Sequence, residues 1–361
     1  MTRYIRKQKG LTLIELMIAL VIGLLLLGGT VSMFISNKRV YREQESMGRL
    51  QENARFALAE VMHDIRMAGY TGCSDNASKT SNHLNGVTST NILDFGNPIE
   101  GSEDGGDWKP SNSTDVIGSM VAGTDGITIR FMEDTGLTVE APYMTNQSAS
   151  LHVSAPNSLV PGEIVAAADC DSTDIFQITN TDPGSTGTVT HNSGSGTPGN
   201  ATKPLQKRYL DSASIVRYIA RRYFIGTGAY GGPSLFRSVY SQDKDDSDGD
   251  GNTTEVIQHN EELIEGVENM QVLYGEDTAG ADKIADTYVT ADNVTNWSNV
   301  VSVRIALLFR TIKPNNQIDP DTATHSMLGG TAAGGATIGP MNDYYRRRVV
   351  TATIQIRNKS T

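Results

Sequence analysis

The chain has 361 residues, 30 Lys and Arg against 41 Asp and Glu, a formal charge of −11, and 38% hydrophobic content with 36 glycines. That length supports one large or two ordinary domains with their own core, so no metal or disulfide is obligatory, and the acidic balance excludes nucleic-acid binding through bulk basic charge. Two cysteines and six scattered histidines do not make a four-ligand zinc site, and the absence of G-x-S-x-G, H-E-x-x-H and P-loop patterns leaves no basis for a catalytic assignment.

The first ten residues, MTRYIRKQKG, hold Arg3, Arg6, Lys7 and Lys9 and no acid. Residues 11–35 follow as a 25-residue run, LTLIELMIALVIGLLLLGGTVSMFI, in which Glu15 is the only charge. As a helix this run is about 37 Å long, enough to cross a bilayer. The basic leader favours a cytoplasmic N-terminus, although Lys38, Arg39 and Arg42 beyond the span make the contrast partial.

Three readings of this segment compete. A cleaved secretory signal needs small residues at a cut site after the apolar run, and no persuasive A-x-A-like site follows Ile35. A plain signal anchor fits length and charge but leaves Glu15 unexplained, because an ionised, unpaired carboxylate inside the span is costly. A cut between Gly10 and Leu11 supplies a partner. It creates an α-ammonium at Leu11, and a neighbouring subunit's ammonium can neutralise Glu15 in a poorly screened apolar bundle. Such a cut removes four positive charges, so the formal charge of −11 becomes −15 over the remaining 351 residues.

Beyond Asn37, Met47, Leu50, Ala54, Ala57, Leu58, Val61, Met62, Ile65 and Ala68 recur at steps of three and four, the pattern of an amphipathic helix. No proline precedes Pro98, so one helix is predicted over 11–68 with Gly69 as its stop. Its half over 11–35 is apolar all round, and its half over 36–68 buries one stripe. Gly23, Gly28 and Gly29 lower local helix propensity, which suits either a bend on packing or close helix contact in the membrane.

From residue 69 onward, short apolar strings separated by Gly, Asn, Ser, Asp and Pro argue for β-structure. The clearest strand is 301–309, with Val301, Val303, Ile305, Leu307 and Phe309 on one face. A second has Val350, Ala352, Ile354 and Ile356 alternating with polar residues. Further strands are predicted at 126–132, 164–168, 175–179, 215–224, 235–239 and 270–274. The expected fold is α+β: a long N-terminal spine helix on an antiparallel head over 69–361. Segments 74–124, 181–203 and 327–340 read as long surface loops.

The string Lys9-Gly10-Leu11-Thr12-Leu13-Ile14-Glu15-Leu16 resembles the type IV prepilin signal G-F-T-L-I-E-L, with Leu11 in place of the usual Phe. Strings at 165–178, 220–225, 233–237 and 262–274, together with Trp297 and 300–309, resemble the PilW family of minor pilins. The resemblance implies prepilin-peptidase cleavage between Gly10 and Leu11, N-methylation of Leu11, and an assembly role for Glu15. It implies a low-copy, non-catalytic subunit held in the inner membrane, which joins other minor pilins in priming a pilus and sits near its tip. The implied partners are those minor pilins, the major pilin, prepilin peptidase, the inner-membrane assembly platform and a tip adhesin, with membrane lipid around 11–35. A type II secretion pseudopilin would share the signal and spine. A membrane-anchored adhesin or calcium-binding protein that never polymerises is a different class of answer.

In an oxidising periplasm Cys73 and Cys170 can form a disulfide closing a loop of about 100 residues, worth up to roughly 4 kcal/mol; two unpaired buried thiols are the alternative. The acidic run 243–255 contains D-x-D-x-D-G at Asp246, Asp248, Asp250 and Gly251, and Glu255 could complete a loose calcium site. Position twelve is Ile257 rather than a bidentate Glu, so a standard EF-hand is not expected and a solvated acidic turn is the default. No cofactor is required. Arg346, Arg347 and Arg348 read as a solvated strand start, with binding to lipid headgroups or DNA as the lesser reading.

Overall fold

The computed structural model describes residues 10–72, 79–87, 92–105, 120–242, 256–280, 282–316, 318–331 and 334–359. A single helix, α1 (Leu13–Met67), runs for 55 residues. Thr12 caps it in an extended conformation, and Ala68 ends it. Gly69 then turns the chain at φ +75°, and its N–H donates to the Arg130 carbonyl at 2.9 Å. The glycine read as a helix stop therefore also hands the spine to the head.

The strands are, in chain order, β1 (Thr80–Asn82), β2 (Ile99–Ser102), β3 (Gly126–Thr138), β4 (Leu151–His152), β5 (Ile164–Ala168) and β6 (Thr173–Gln177). They continue with β7 (Thr188–Val189), β8 (Ser214–Thr227), β9 (Pro233–Gln242), β10 (Val256–Glu265) and β11 (Val267–Glu276). The last are β12 (Thr287–Val289), β13 (Val300–Arg310), β14 (His325–Ser326), β15 (Thr337–Ile338) and β16 (Arg347–Gln355).

Two sheets carry the head. The larger runs β1-β6-β5-β8-β3-β2, antiparallel except for β1 against β6. One edge of β8 is divided: residues 214–217 pair with β5 and residues 220–227 with β9, which in turn pairs with β10. The smaller sheet is antiparallel, in the order β12-β11-β13-β16.

The helix and both sheets share one core. Leu50, Ala54, Ala57, Val61 and Ile65 of α1 meet Ile127, Ile129 and Tyr223 of the large sheet and Val303, Ile305 and Ile354 of the small one. Alternation in β13 decides which side each residue serves: Val303, Ile305, Leu307 and Phe309 face this core, while Ala306 and Leu308 pack with Met327 on the opposite face. Strand β16 lies along the spine. Arg346, just before it, donates to Glu43 at 3.3 Å, and Asn358, just after it, donates to the Ala68 carbonyl at 3.2 Å. The two spans agree, since residues 43–68 of a helix and 346–358 of a strand each cover about 40 Å.

Three loop expectations need correction. Within 74–124 the described residues include β2, buried at all four positions, and buried Ile92, Leu93 and Phe95. Segment 181–203 holds α2 (Pro183–Thr186), β7 and the buried side chains of His191 and Asn200. Segment 327–340 begins at fully buried Met327 and contains β15. Apolar strings of two to four residues are too short to show a period, so burial there is decided by the sheets they meet. Strand β10 was not expected from its sequence, Val-Ile-Gln-His-Asn-Glu-Glu-Leu-Ile-Glu; pairing with β9 fixes it.

Candidate assembly site on the spine

The Gly10–Leu11 peptide lies in the non-helical stretch immediately before α1, where both residues are exposed. Thr12 and Glu15 then form a reciprocal cap. The Thr12 N–H and hydroxyl each donate to Glu15 Oε2 at 3.0 Å, and the Glu15 N–H donates to Thr12 Oγ1 at 3.3 Å. The first turn thus holds the carboxylate beside the chain end that a cut after Gly10 would expose. The large apolar side chains from Leu11 to Ile35 are exposed, and α1 is long and apolar enough to cross a membrane.

Farther up, α1 is fastened to the head by three acids. Glu43 meets Arg346 and Glu60 meets Arg237, each at 3.3 Å and part-exposed. Exposed pairs of this kind contribute little. Asp64 differs because its side chain is 1% exposed. It accepts from Arg221 Nη1 at 2.8 Å and from the Tyr223 hydroxyl at 2.5 Å, both on β8. Burial, and then the Asp64 charge, push the Tyr223 phenol well above its usual range, so it remains a donor. Arg221 also lies over the Phe131 ring, 5.3 Å from its centroid. The sequence reading missed Asp64, although it occupies the same stripe as Leu50, Ala54, Ala57, Val61 and Ala68.

Two of the three arginines serve the fold. Arg346 reaches the spine. The Arg347 side chain is 1% exposed and donates to Glu268 at 2.6 and 2.9 Å, to Asp343 through both Nη atoms at 2.6 Å, and to Asp321 at 3.1 Å. Hydrogen bonding from Arg347 is the main cause that holds the Asp343 carboxyl below its usual range. The solvated reading therefore fails for Arg347, because three carboxylates on separate segments converge on it. Arg348 is exposed.

Asp125 joins the two sheets. Its N–H donates to the Met270 carbonyl at 2.9 Å, and its carboxylate accepts from the Val272 N–H at 2.8 Å and the Asp104 N–H at 3.3 Å. Burial, then the charge of Glu103, push this carboxyl up from 3.8 to about 7. Between those values the folded chain keeps a proton that the unfolded chain has lost, so the contribution of Asp125 to stability falls as pH rises from about 4 to about 7 and then levels off. The loss attributable to this group is at most about 4 kcal/mol. Asp125→Asn should flatten the slope of Tm against pH relative to the unaltered protein; identical slopes would remove Asp125 from the account.

Cys170 is disulfide-bonded. Cys73, the chain's other cysteine, and the calcium candidates Asp246, Asp248, Asp250 and Glu255 lie outside the described residues. Among the described residues, no group of three or more His, Cys, Asp or Glu is arranged to hold a metal.

Comparison with known families gives two matches. Residues 222–358 match the PilW family, type IV pilus-assembly protein W, and residues 5–31 match the prokaryotic N-terminal methylation motif. The first runs from within β8 to just past β16, so the strings at 165–178 that resemble the same family fall outside it. No curated protein and no solved structure matches the chain. With a methylation motif over the start of its exposed apolar helix and a PilW region forming the sheet beneath the other end, the chain is a pilin-like protein related to type IV pili, with a prepilin-type signal and a PilW-family C-terminal region.

Proposed function

We propose that the protein is a minor pilin that takes part in priming and assembly of the type IV pilus, at or near its tip, without catalysing a reaction. Prepilin peptidase cuts between Gly10 and Leu11 and Leu11 is N-methylated. The chain waits in the inner membrane with its N-terminus cytoplasmic and its head in the periplasm. Glu15 then moves from its own Thr12 to the ammonium of a neighbouring subunit as the spine enters the filament. A bridge between Cys73 and Cys170 belongs to the same reading, since the head folds in an oxidising compartment. One observation carries the proposal: a single helix begins in the methylation motif and ends packed on the PilW sheet.

Intact mass and N-terminal sequencing, on membranes and sheared filaments with prepilin peptidase present or deleted, test it. The expected result is a peptidase-dependent N-methyl-Leu11 terminus in the filament fraction. A Met1 terminus in both strains would leave only a signal anchor.

A further inference from the structure

A hydroxyl, an imidazole and a carboxylate form a chain at the β1–β6 edge of the large sheet. His83 follows β1, Asp174 lies on β6, and Thr202 lies on the connection from β7 to β8. His83 Nε2 is 2.6 Å from Asp174 Oδ1, and His83 Nδ1 is 2.8 Å from Thr202 Oγ1. Asp174 is fully buried, His83 is buried and Thr202 is exposed. Asp174 Oδ2 accepts from the Tyr209 hydroxyl at 2.7 Å and from the Gln206 N–H at 3.0 Å, so the acid is fixed from two sides. The His83 N–H donates to the Ile175 carbonyl at 2.9 Å, and the His83 carbonyl accepts from the Ala201 N–H at 2.7 Å. The Asn200 side chain pairs with both backbone groups of Gln177, each at 2.8 Å. Bonds to the backbone of β6 and its neighbours thus hold all three parts in place before any substrate arrives.

We propose that Thr202 is a modification site: an acyl acceptor, activated by His83 and Asp174, that takes one acyl group from an activated carboxylic ester. The tautomer follows from the acid. A carboxylate only accepts, so Nε2 carries the imidazole hydrogen, and the lone pair of Nδ1 receives the proton of the Thr202 hydroxyl. A base within hydrogen-bond reach and a third group orienting that base are what turn a weak hydroxyl into a nucleophile. Thr202 Oγ bonds to the ester carbonyl carbon while its proton passes to Nδ1. The ester C–O bond then breaks, and the leaving oxygen takes that proton from the imidazole. A phosphoryl donor is the less suitable substrate, because its several negative oxygens need cations, and among the described residues no arginine or lysine side chain bonds to Thr202, His83 or Asp174. A purely structural histidine has no need of the exposed hydroxyl, since solvent serves Nδ1 nearly as well. The site lies outside residues 222–358, and the cores around it contain no residue of α1, so it is separable from the assembly site.

The test incubates the full chain in detergent with p-nitrophenyl acetate. The peptide carrying Thr202 is then mapped by mass spectrometry before and after alkaline hydroxylamine, which cleaves esters but not lysine amides. The expected result is a hydroxylamine-labile acetyl group on Thr202, formed about a hundredfold faster or more in the folded chain than in the chain unfolded in urea. Thr202→Val should abolish it, Thr202→Ser should keep it, and His83→Gln should slow it to the unfolded rate, with Tm measured for each variant. The inference is overturned if Thr202 carries no acetyl group, or gains one no faster folded than in urea. Undiminished acetylation in a His83→Gln chain that melts like the unaltered protein overturns it as well.

Discussion

Asp64→Ala should destabilise the head by about 3–5 kcal/mol, because the substitution leaves Arg221 as an uncompensated charge and Tyr223 as a buried donor without its acceptor. Asp64→Asn retains the shape and one acceptor and should cost less. The effect is also local. The apolar part of α1 stands clear of the head, so unfolding should appear in the contacts of residues 50–68 while membrane insertion is unchanged. Thermal melts of the full chain in detergent measure it, with a Tm lowered by about 10 °C expected for a head of this size. A change of under about 1 kcal/mol would show that apolar packing alone holds the spine and that Asp64 is incidental.

Glu15→Ala should leave insertion and head stability intact while lowering incorporation into sheared filaments by about tenfold or more. Its intramolecular role is modest: the reciprocal cap with Thr12 is worth about 1 kcal/mol of local helix stability, at the far end of a 55-residue helix from the core. A large loss of incorporation therefore cannot be a folding effect and must reflect a charge needed between subunits, where the apolar surroundings strengthen it. Glu15→Gln separates the two functions, because it keeps an acceptor for Thr12 but no charge. Normal incorporation of both variants would show that the Glu15 charge is not needed for assembly, whereas absence of the unaltered chain from filaments would favour an anchored protein that never polymerises.

Much of this architecture was legible in the chain because its signals are local. The charge contrast around residues 1–35, the period of three and four up to Ala68 and the stop at Gly69 predict α1 to within two residues at either end. Strand 164–168 is found with the predicted bounds, and 301–309 and 215–224 are extended by one to three residues at either end. Period-two alternation over nine or more residues is enough to assign a face without knowing the partner. The prepilin-type signal is equally local, since the proposed cleavage site, the cap and the acid lie within six residues.

What the sequence could not decide depended on which distant segments meet. Asp64 reads as one more polar residue on an amphipathic helix until β8 brings Arg221 and Tyr223 to it. Arg347 reads as one of three solvated arginines until Glu268, Asp321 and Asp343 converge on it from separate segments. Asp125 is an ordinary acidic residue before a strand, and only the seam with β11 buries it and raises its proton affinity. The sequence by itself determined the spine, its signal and the β-rich head, because hydrophobic period and charge act over neighbouring residues. The tertiary structure alone decided where the charges are buried, because desolvation depends on what packs against a group and not on what precedes it in the chain.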